Sequence, residues 1–284
     1  MLQLGNHLYN VLKTPSGIID LTLPKIMGII NVTPDSFYDG GKFTQISELL
    51  KQASKMIEEG ADILDIGGYS SRPGAQDVTE EEEIARIKEP LRQIRKSFPK
   101  VQISIDTFRS RVAELALKNG ADIVNDISAG EDSNEEIFEV VKHYQVPYIL
   151  MHKKGKPMTM QDNPKYKHVV DEVFQYIAQK VAKLNAFGLH DLIVDPGFGF
   201  GKALEHNYQI LNNLKTFQVL GPVLVGVSRK SMINKVLNCT PSESLNGTSV
   251  LHAFSLLGGA KILRVHDVKP AFEAIQLFQQ LKEC

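Results

Sequence analysis

Near the end of the chain, the run Ile262-Leu263-Arg264-Val265-His266 places a guanidinium and an imidazole two residues apart in an apolar stretch. In an extended strand such residues share a face. An interior strand does not bury two such groups without a use for them. Either the run lies at a surface edge, or its end opens onto an anion. Other short apolar runs also close on polar groups: Asn31, Asp65, Asp106, Asn125 with Asp126, His152, Asp195 and Ser228-Arg229-Lys230. The carboxylates and amide of Asp106, Asn125 and Asp195 suit a flat heterocycle with N–H donors, since a carboxylate accepts two parallel hydrogen bonds. The cations Arg72, Lys230, Arg264 and His266 suit phosphate oxygens or an electron-rich carbonyl. Asn31 offers a hard amide oxygen to Mg²⁺, an ion that takes few protein ligands when it holds substrate phosphates. The implied ligand is a flat polar ring joined to a phosphate or diphosphate.

For these groups to converge, the elements carrying them must share one end of a sheet. Three stretches repeat one plan: EEGADILDIGG (58–68), KNGADIVNDIS (118–128) and LGGAKILRVHD (257–267). Each is a helical pattern, a glycine suited to a helix C-cap, and a short apolar run suited to a buried parallel strand. FGLHDLIVDPG (187–197) follows the same plan with two residues inserted. With the remaining runs, strands are predicted near 26–31, 62–66, 101–106, 122–126, 146–151, 192–195, 223–227 and 261–265. Helical patterns separate them. One spans 164–186, with Asn163 as N-cap and Pro164 at the first position. Another starts at Thr79, with Glu82 placed to complete a capping box and Pro90 set to kink or break it. The glutamates 80–83 read as a helix N-terminus favoured by its dipole.

Eight such units predict a single-domain α/β chain, a (β/α)₈ TIM barrel across 1–284 with a short lead-in over about 1–24. A doubly wound sheet is the competing arrangement. The unbroken alternation favours the barrel, whose chemistry lies at the C-terminal ends of its strands. The loops 32–43 and 67–78 are long and rich in Gly, Pro, Ser and Asp, which fits lids. DPGFGFGK (195–202) lacks the Walker spacing, and Ala203 stands where Ser or Thr is needed, so it is not a phosphate loop. Its glycines permit an unusual turn beside a ligand, with Phe198 or Phe200 as a wall. Lys230 has a second reading as a Schiff-base lysine, its pKa depressed by Arg229. His152 reads as an ordinary loop residue, and the histidines outside the strand ends show no metal spacing.

Composition narrows the class. With 284 residues and 43% hydrophobic content the chain can bury a large core, and a net charge of −1 argues against nucleic acid or anionic membrane as main partner. No apolar run approaches the roughly eighteen residues of a membrane span. Two cysteines suggest neither a disulfide framework nor a cysteine zinc site, so cytoplasmic localisation is expected.

Along nearly its whole length the chain resembles the dihydropteroate synthases, a pterin-binding barrel family. The resemblance lies in GIINVTPDSFYDGG, DIGGYSSRPGA, SIDTFRSRVAELAL, ADIVNDISAG, DPGFGFGK, VGVSRKSMI and RVHDV, in that order. It implies a transferase of folate synthesis that joins 7,8-dihydropterin-6-ylmethyl diphosphate to 4-aminobenzoate, releasing diphosphate and 7,8-dihydropteroate. It also implies Mg²⁺, a homodimer, and the enzyme class that sulfonamides target. On matching positions, Asp106, Asn125, Met151, Asp195 and Lys230 would hold the pterin. Asn31, Arg72, Arg264 and His266 would hold the diphosphate, with Asn31 also on the metal. Ser71, Phe200 and Ser231 would lie by the aminobenzoate, and Asp106, Arg72 and Lys230 would carry the catalysis. The chain departs from the family's usual Glu-Ser-Thr-Arg-Pro-Gly, reading Tyr69-Ser70-Ser71-Arg72-Pro73-Gly74. A pterin-using corrinoid methyltransferase has less need of Arg72, Arg264 and His266, and an inactive binding protein has no need of the full ring.

Overall fold

The computed structural model describes residues 11–32, 42–69, 78–155, 160 and 164–283, with backbone alone for 42–45. A hairpin, β1 (Val11–Thr14) and β2 (Gly17–Asp20), precedes a parallel barrel. The barrel strands are β3 (Lys25–Asn31), β4 (Ile63–Gly67), β5 (Gln102–Asp106), β6 (Ile123–Asp126), β7 (Tyr148–Met151), β8 (Leu192–Asp195), β9 (Leu224–Val225) and β10 (Ile262–Val265). They are ordered β8-β7-β6-β5-β4-β3-β10-β9, and a parallel bridge from Val194 to Val223 joins the two ends. All eight predicted strands form, and the fold is a TIM-like α/β barrel.

The helices lie between the strands: α1 (Lys42–Glu58), α2 (Glu80–Ser97), α3 (Ser110–Lys118), α4 (Glu136–Tyr144), α5 (Val169–Phe187), α6 (Leu204–Asn212), α7 (Ser231–Leu237), α8 (Leu245–Leu257) and α9 (Val268–Glu283). Strands buried on both faces must be apolar on both, and two cores result. One lies between strands and helices, including Ile66, Ile105, Val124, Tyr148, Val194 and Val265. The other fills the barrel's lower interior with Met27, Ile63, Ile123, Ile149, Ile193, Leu224 and Ile262. Leu12, Ile19 and Leu21 of the lead-in join that inner cluster, so the hairpin plugs the N-terminal end. Side chains from the hairpin and the strand starts confirm this placement: Thr14 Oγ1 donates to Gln102 Oε1, and Asp122 Oδ1 accepts from Ser16 N–H. Each buried aliphatic side chain contributes about 1.5–3 kcal/mol, so the plug adds materially to stability.

Local signals mostly hold. Thr79 and Glu82 form the capping box of α2. Gly60, Gly120, Gly188 and Gly259 take the left-handed backbone expected at helix ends. Glutamates 80–83 do open α2, and Glu83 among them is also fully buried and paired with Arg109. Of the kink or break read at Pro90, the break does not occur, since α2 runs through it. One expectation changes: the helix expected from residue 164 begins at Val169. Residues before it are engaged elsewhere, since Lys154 Nζ donates to Lys165 O and Tyr166 donates to Gly201 O. Glu172 Oε1 accepts from the N–H groups of Lys167 and His168, closing the helix start there.

Candidate active site

Side chains two residues above the inner apolar layer point into the same barrel interior. Thus Ile63 is followed by Asp65, Ile123 by Asn125, Ile149 by Met151, Ile193 by Asp195 and Ile262 by Arg264. The strand register adds a row across the mouth, Asn31 beside Gly67, Gly67 beside Asp106 and Asp106 beside Asn125. Gly67 carries no side chain between Asn31 and Asp106, and a Cβ there would touch that of Asp106 at 3.4 Å.

Arg264 organises one side of the mouth. Its Nε donates to Asp65 Oδ2 and its Nη2 to Asp106 Oδ2, both at 2.6 Å. No hydrogen bond to a described residue occupies its Nη1. The same Asp65 oxygen accepts from Asn125 Nδ2 at 3.1 Å, which turns Asn125 Oδ1 away as an acceptor. Asp65 is fully buried, and its Oδ1 has no partner among the described residues. Burial pushes the Asp106 carboxyl up to about 7 against the pull of Arg264, with Asp65, Glu83 and Asp126 adding to the rise. Burial alone would lower the Arg264 pKa, but Asp65 and Asp106 overcome it and hold the guanidinium charged.

The opposite side is built by the turns after β8 and β9. Asp195 Oδ1 accepts from Gly197 N–H at 2.7 Å, and burial raises its pKa although Lys230 opposes this. Lys230 Nζ donates to Phe198 O and lies 4.9 Å from the Phe200 ring centroid. Burial lowers its pKa to about 8, with Asp195 opposing and Arg264 adding to the fall. The expected influence of Arg229 is not its cause. Arg229 points to Asp267, donating through Nε and Nη2 at 2.7 and 2.8 Å. Its backbone takes φ 55°, a strained conformation for a non-glycine residue, and so turns Lys230 towards the mouth while its own side chain is anchored outside.

Arg264 and His266 diverge. Arg264 reaches into the barrel, whereas the His266 ring Nδ1 meets Ser228 Oγ at 3.1 Å at the end of the neighbouring strand. Met151 is buried as an apolar wall, and Ser231 is the exposed first residue of α7. The structure therefore brings Asn31, Asp106, Asn125, Met151, Asp195, Phe200, Lys230, Ser231, Arg264 and His266 to one face. Ser71 and Arg72, with most of the two loops read as lids, lie outside the described residues.

Sequence reasoning passed over two residues here. Asp65 reads from sequence as a strand end without a task, although a carboxylate within ILDIG is itself a signal. His152 is no ordinary loop residue. It is buried, its pKa is driven down to about 2 by burial and then by Lys202, and its Nδ1 lies 2.9 Å from Lys202 Nζ. His252 lies in α8, where it is buried.

No group of three or more His, Cys, Asp or Glu residues among the described ones could hold a metal. The donor set at Asn31 fits a different arrangement, one amide oxygen with phosphate and water supplying the other positions.

Comparison with known proteins accords with this geometry. Residues 27–266 match the family described as pterin binding enzyme. Dihydropteroate synthase of Escherichia coli K12 is 43% identical over 264 residues, 92% of this chain and 93% of that protein. A Yersinia pestis dihydropteroate synthase crystal structure with a sulfonamide drug complex superposes with TM-score 0.89 at 36% identity, covering 96% of this chain and 100% of the other. A Xanthomonas albilineans dihydropteroate synthase in complex with 7,8-dihydropteroate gives TM-score 0.86 at 33% identity, covering 96% and 99%.

Proposed function

This chain belongs to the pterin-binding enzyme family as a dihydropteroate synthase of folate biosynthesis, and from that premise we propose how its residues divide the work. The ring from Asn31 to His266 at one barrel mouth is the observation that carries the assignment. Asp195 and Asn125 bind the edge of the pterin, Lys230 donates to it, and Met151 packs on its face. Asn31, His266, Arg72 and the open Nη1 of Arg264 receive the diphosphate. Phe200, Ser231 and Ser71 border the aminobenzoate.

In the reaction the amine of 4-aminobenzoate attacks the exocyclic methylene, and the carbon–oxygen bond to diphosphate breaks. The attacking nitrogen then loses a proton, leaving 7,8-dihydropteroate. The Asp106 carboxylate stabilises positive charge shared by the dihydropterin ring, while Arg264 and His266 stabilise negative charge on the departing oxygen. Mg²⁺, held through Asn31 and the diphosphate, would further neutralise that charge when bound. Since aniline nitrogen is already nucleophilic, positioning supplies most of the rest. Replacing Asn31 by Ala tests the metal assignment. The Mg²⁺ concentration for half-maximal turnover should rise by at least about tenfold, since losing even an outer-shell partner of a metal ligand typically costs that much; an unchanged titration would remove Asn31 from the metal.

A single pterin-binding domain across 1–284, with lead-in about 1–24, fits this reading, as does a cytoplasmic setting. No helix among the described residues is long and apolar enough to cross a membrane. A homodimer is supported by Val250, Phe254 and Leu257, an apolar stripe on α8 that is 46%, 54% and 51% exposed. Sedimentation should give twice the chain mass, and Phe254→Glu should halve it.

A further inference from the structure

The turn after β8 contains a buried cation that the reaction does not use. Lys202 is 2% exposed, and no carboxylate among the described residues hydrogen-bonds to it. Its Nζ instead meets Gly197 O at 2.8 Å, His152 Nδ1 at 2.9 Å, Phe200 O at 3.1 Å and His152 O at 3.3 Å. An ammonium carries three donors and no acceptor, so this cage of acceptors fits the charged form and leaves no donor unmatched. Burial opposes that charge and pulls its pKa well down, with Asp195 acting the other way. Burying an ammonium without a counter-ion is costly, and such a group calls for a reason.

The surroundings supply one. Gly197 and Gly201 have φ of 71° and 63°, and a Cβ on them would lie 1.9 Å from His152 O and 2.1 Å from Lys154 O. The turns after β7 and β8 thus lie backbone to backbone, with the ammonium filling the junction. From there Lys202 grips both ends of the working segment. Gly197, whose carbonyl it holds, donates its N–H to Asp195 Oδ1. Phe200, whose carbonyl it also holds, presents its ring to Lys230. Between them Phe198 is fully buried while its carbonyl accepts from Lys230.

We propose that Lys202, seated on His152, is a positioning residue for the aminobenzoate pocket: it fixes the turn that sets the Phe200 ring beside Lys230. It touches neither substrate and acts through Phe200. The inference rests on the assignment of Phe200 to the aminobenzoate side, which turnover of the unaltered enzyme and of Phe200→Ala tests first. If Phe200→Ala leaves the aminobenzoate KM unchanged, that assignment fails, whatever Lys202 does.

The experiment is a double-mutant cycle on full-length enzyme at saturating dihydropterin diphosphate and Mg²⁺. Lys202→Met should raise the aminobenzoate KM by about tenfold, the size of one lost charged hydrogen bond, with kcat within about threefold. In the Phe200→Ala background the same change should add less than about twofold, because both act on one contact. An unchanged KM in the folded single variant would overturn the proposal. So would full additivity with Phe200→Ala, which marks a general structural role. Should Lys202→Met not fold, His152→Gln alters the seat while keeping the ammonium, and the same cycle decides by the same two outcomes at reduced size.

Discussion

Replacing Arg264 by Met removes a cation that joins two carboxylates, Asp65 and Asp106, at the barrel mouth. The Arg264 and Asp106 side chains are 21% and 23% exposed and that of Asp65 is fully buried, so both pairs are shielded from solvent screening. Breaking a buried pair by deleting one partner costs about 3–5 kcal/mol. Two features bound the value here. Asp65 would keep only its bond from Asn125, since its other oxygen has no partner among the described residues, which favours a large loss. Asp106 can take up a proton, its pKa being already about 7, which relieves part of the repulsion. The expected loss is therefore about 3 kcal/mol, read as a shift in the urea midpoint at constant slope. Adding Asp65→Asn to the variant should recover about 1 kcal/mol or more, because the orphaned charge is gone. On the same protein, calorimetry should show the diphosphate-bearing pterin weakened at least about tenfold, while a phosphate-free pterin stays within about threefold. A stability loss under about 1 kcal/mol would place the pair with ordinary surface bridges. Equal losses of affinity for the two ligands would refute the anion site.

Asp195→Ala should weaken a phosphate-free pterin by at least about tenfold, the effect of leaving its N–H donors unpaired, and unchanged affinity in calorimetry would take Asp195 out of the pocket. The pH profile of kcat/KM for the dihydropterin substrate should be bell-shaped. Activity falls below about pH 7 as Asp106 gains its proton and above about pH 8 as Lys230 loses its own. Asp106→Asn should abolish the acid limb along with most turnover, and a residual profile that keeps this limb would assign it elsewhere. Gly197→Ala should destabilise by more than about 1 kcal/mol, since φ is 71° and the added Cβ meets His152 O at 1.9 Å. A denaturation curve matching the unaltered protein would show that the two turns can move apart.

Much of this was legible because barrel strands are apolar on both faces and stop at a polar residue. Asp106, Asn125 and Asp195 announce themselves as such stops. Helix ends were less legible: Asn163-Pro164 carries a good start signal, yet Tyr166 is drawn to Gly201 and the helix waits until Val169. The roles of Asp65, His152 and Lys202 depend on partners 199 and 50 residues away in the chain, and no local pattern encodes such contacts. Even for Arg264 and His266, a spacing of two residues at the end of β10 told where they begin but not that one turns to carboxylates and the other to Ser228.

As a dihydropteroate synthase, this barrel joins a pterinylmethyl group to an arylamine with diphosphate as the leaving group. Purified protein should be given dihydropterin diphosphate, 4-aminobenzoate and Mg²⁺, and both products counted over time. Each turnover should give one dihydropteroate and one diphosphate, with neither formed when 4-aminobenzoate is omitted. Tight pterin binding without product, or diphosphate release independent of the arylamine, would contradict that reaction.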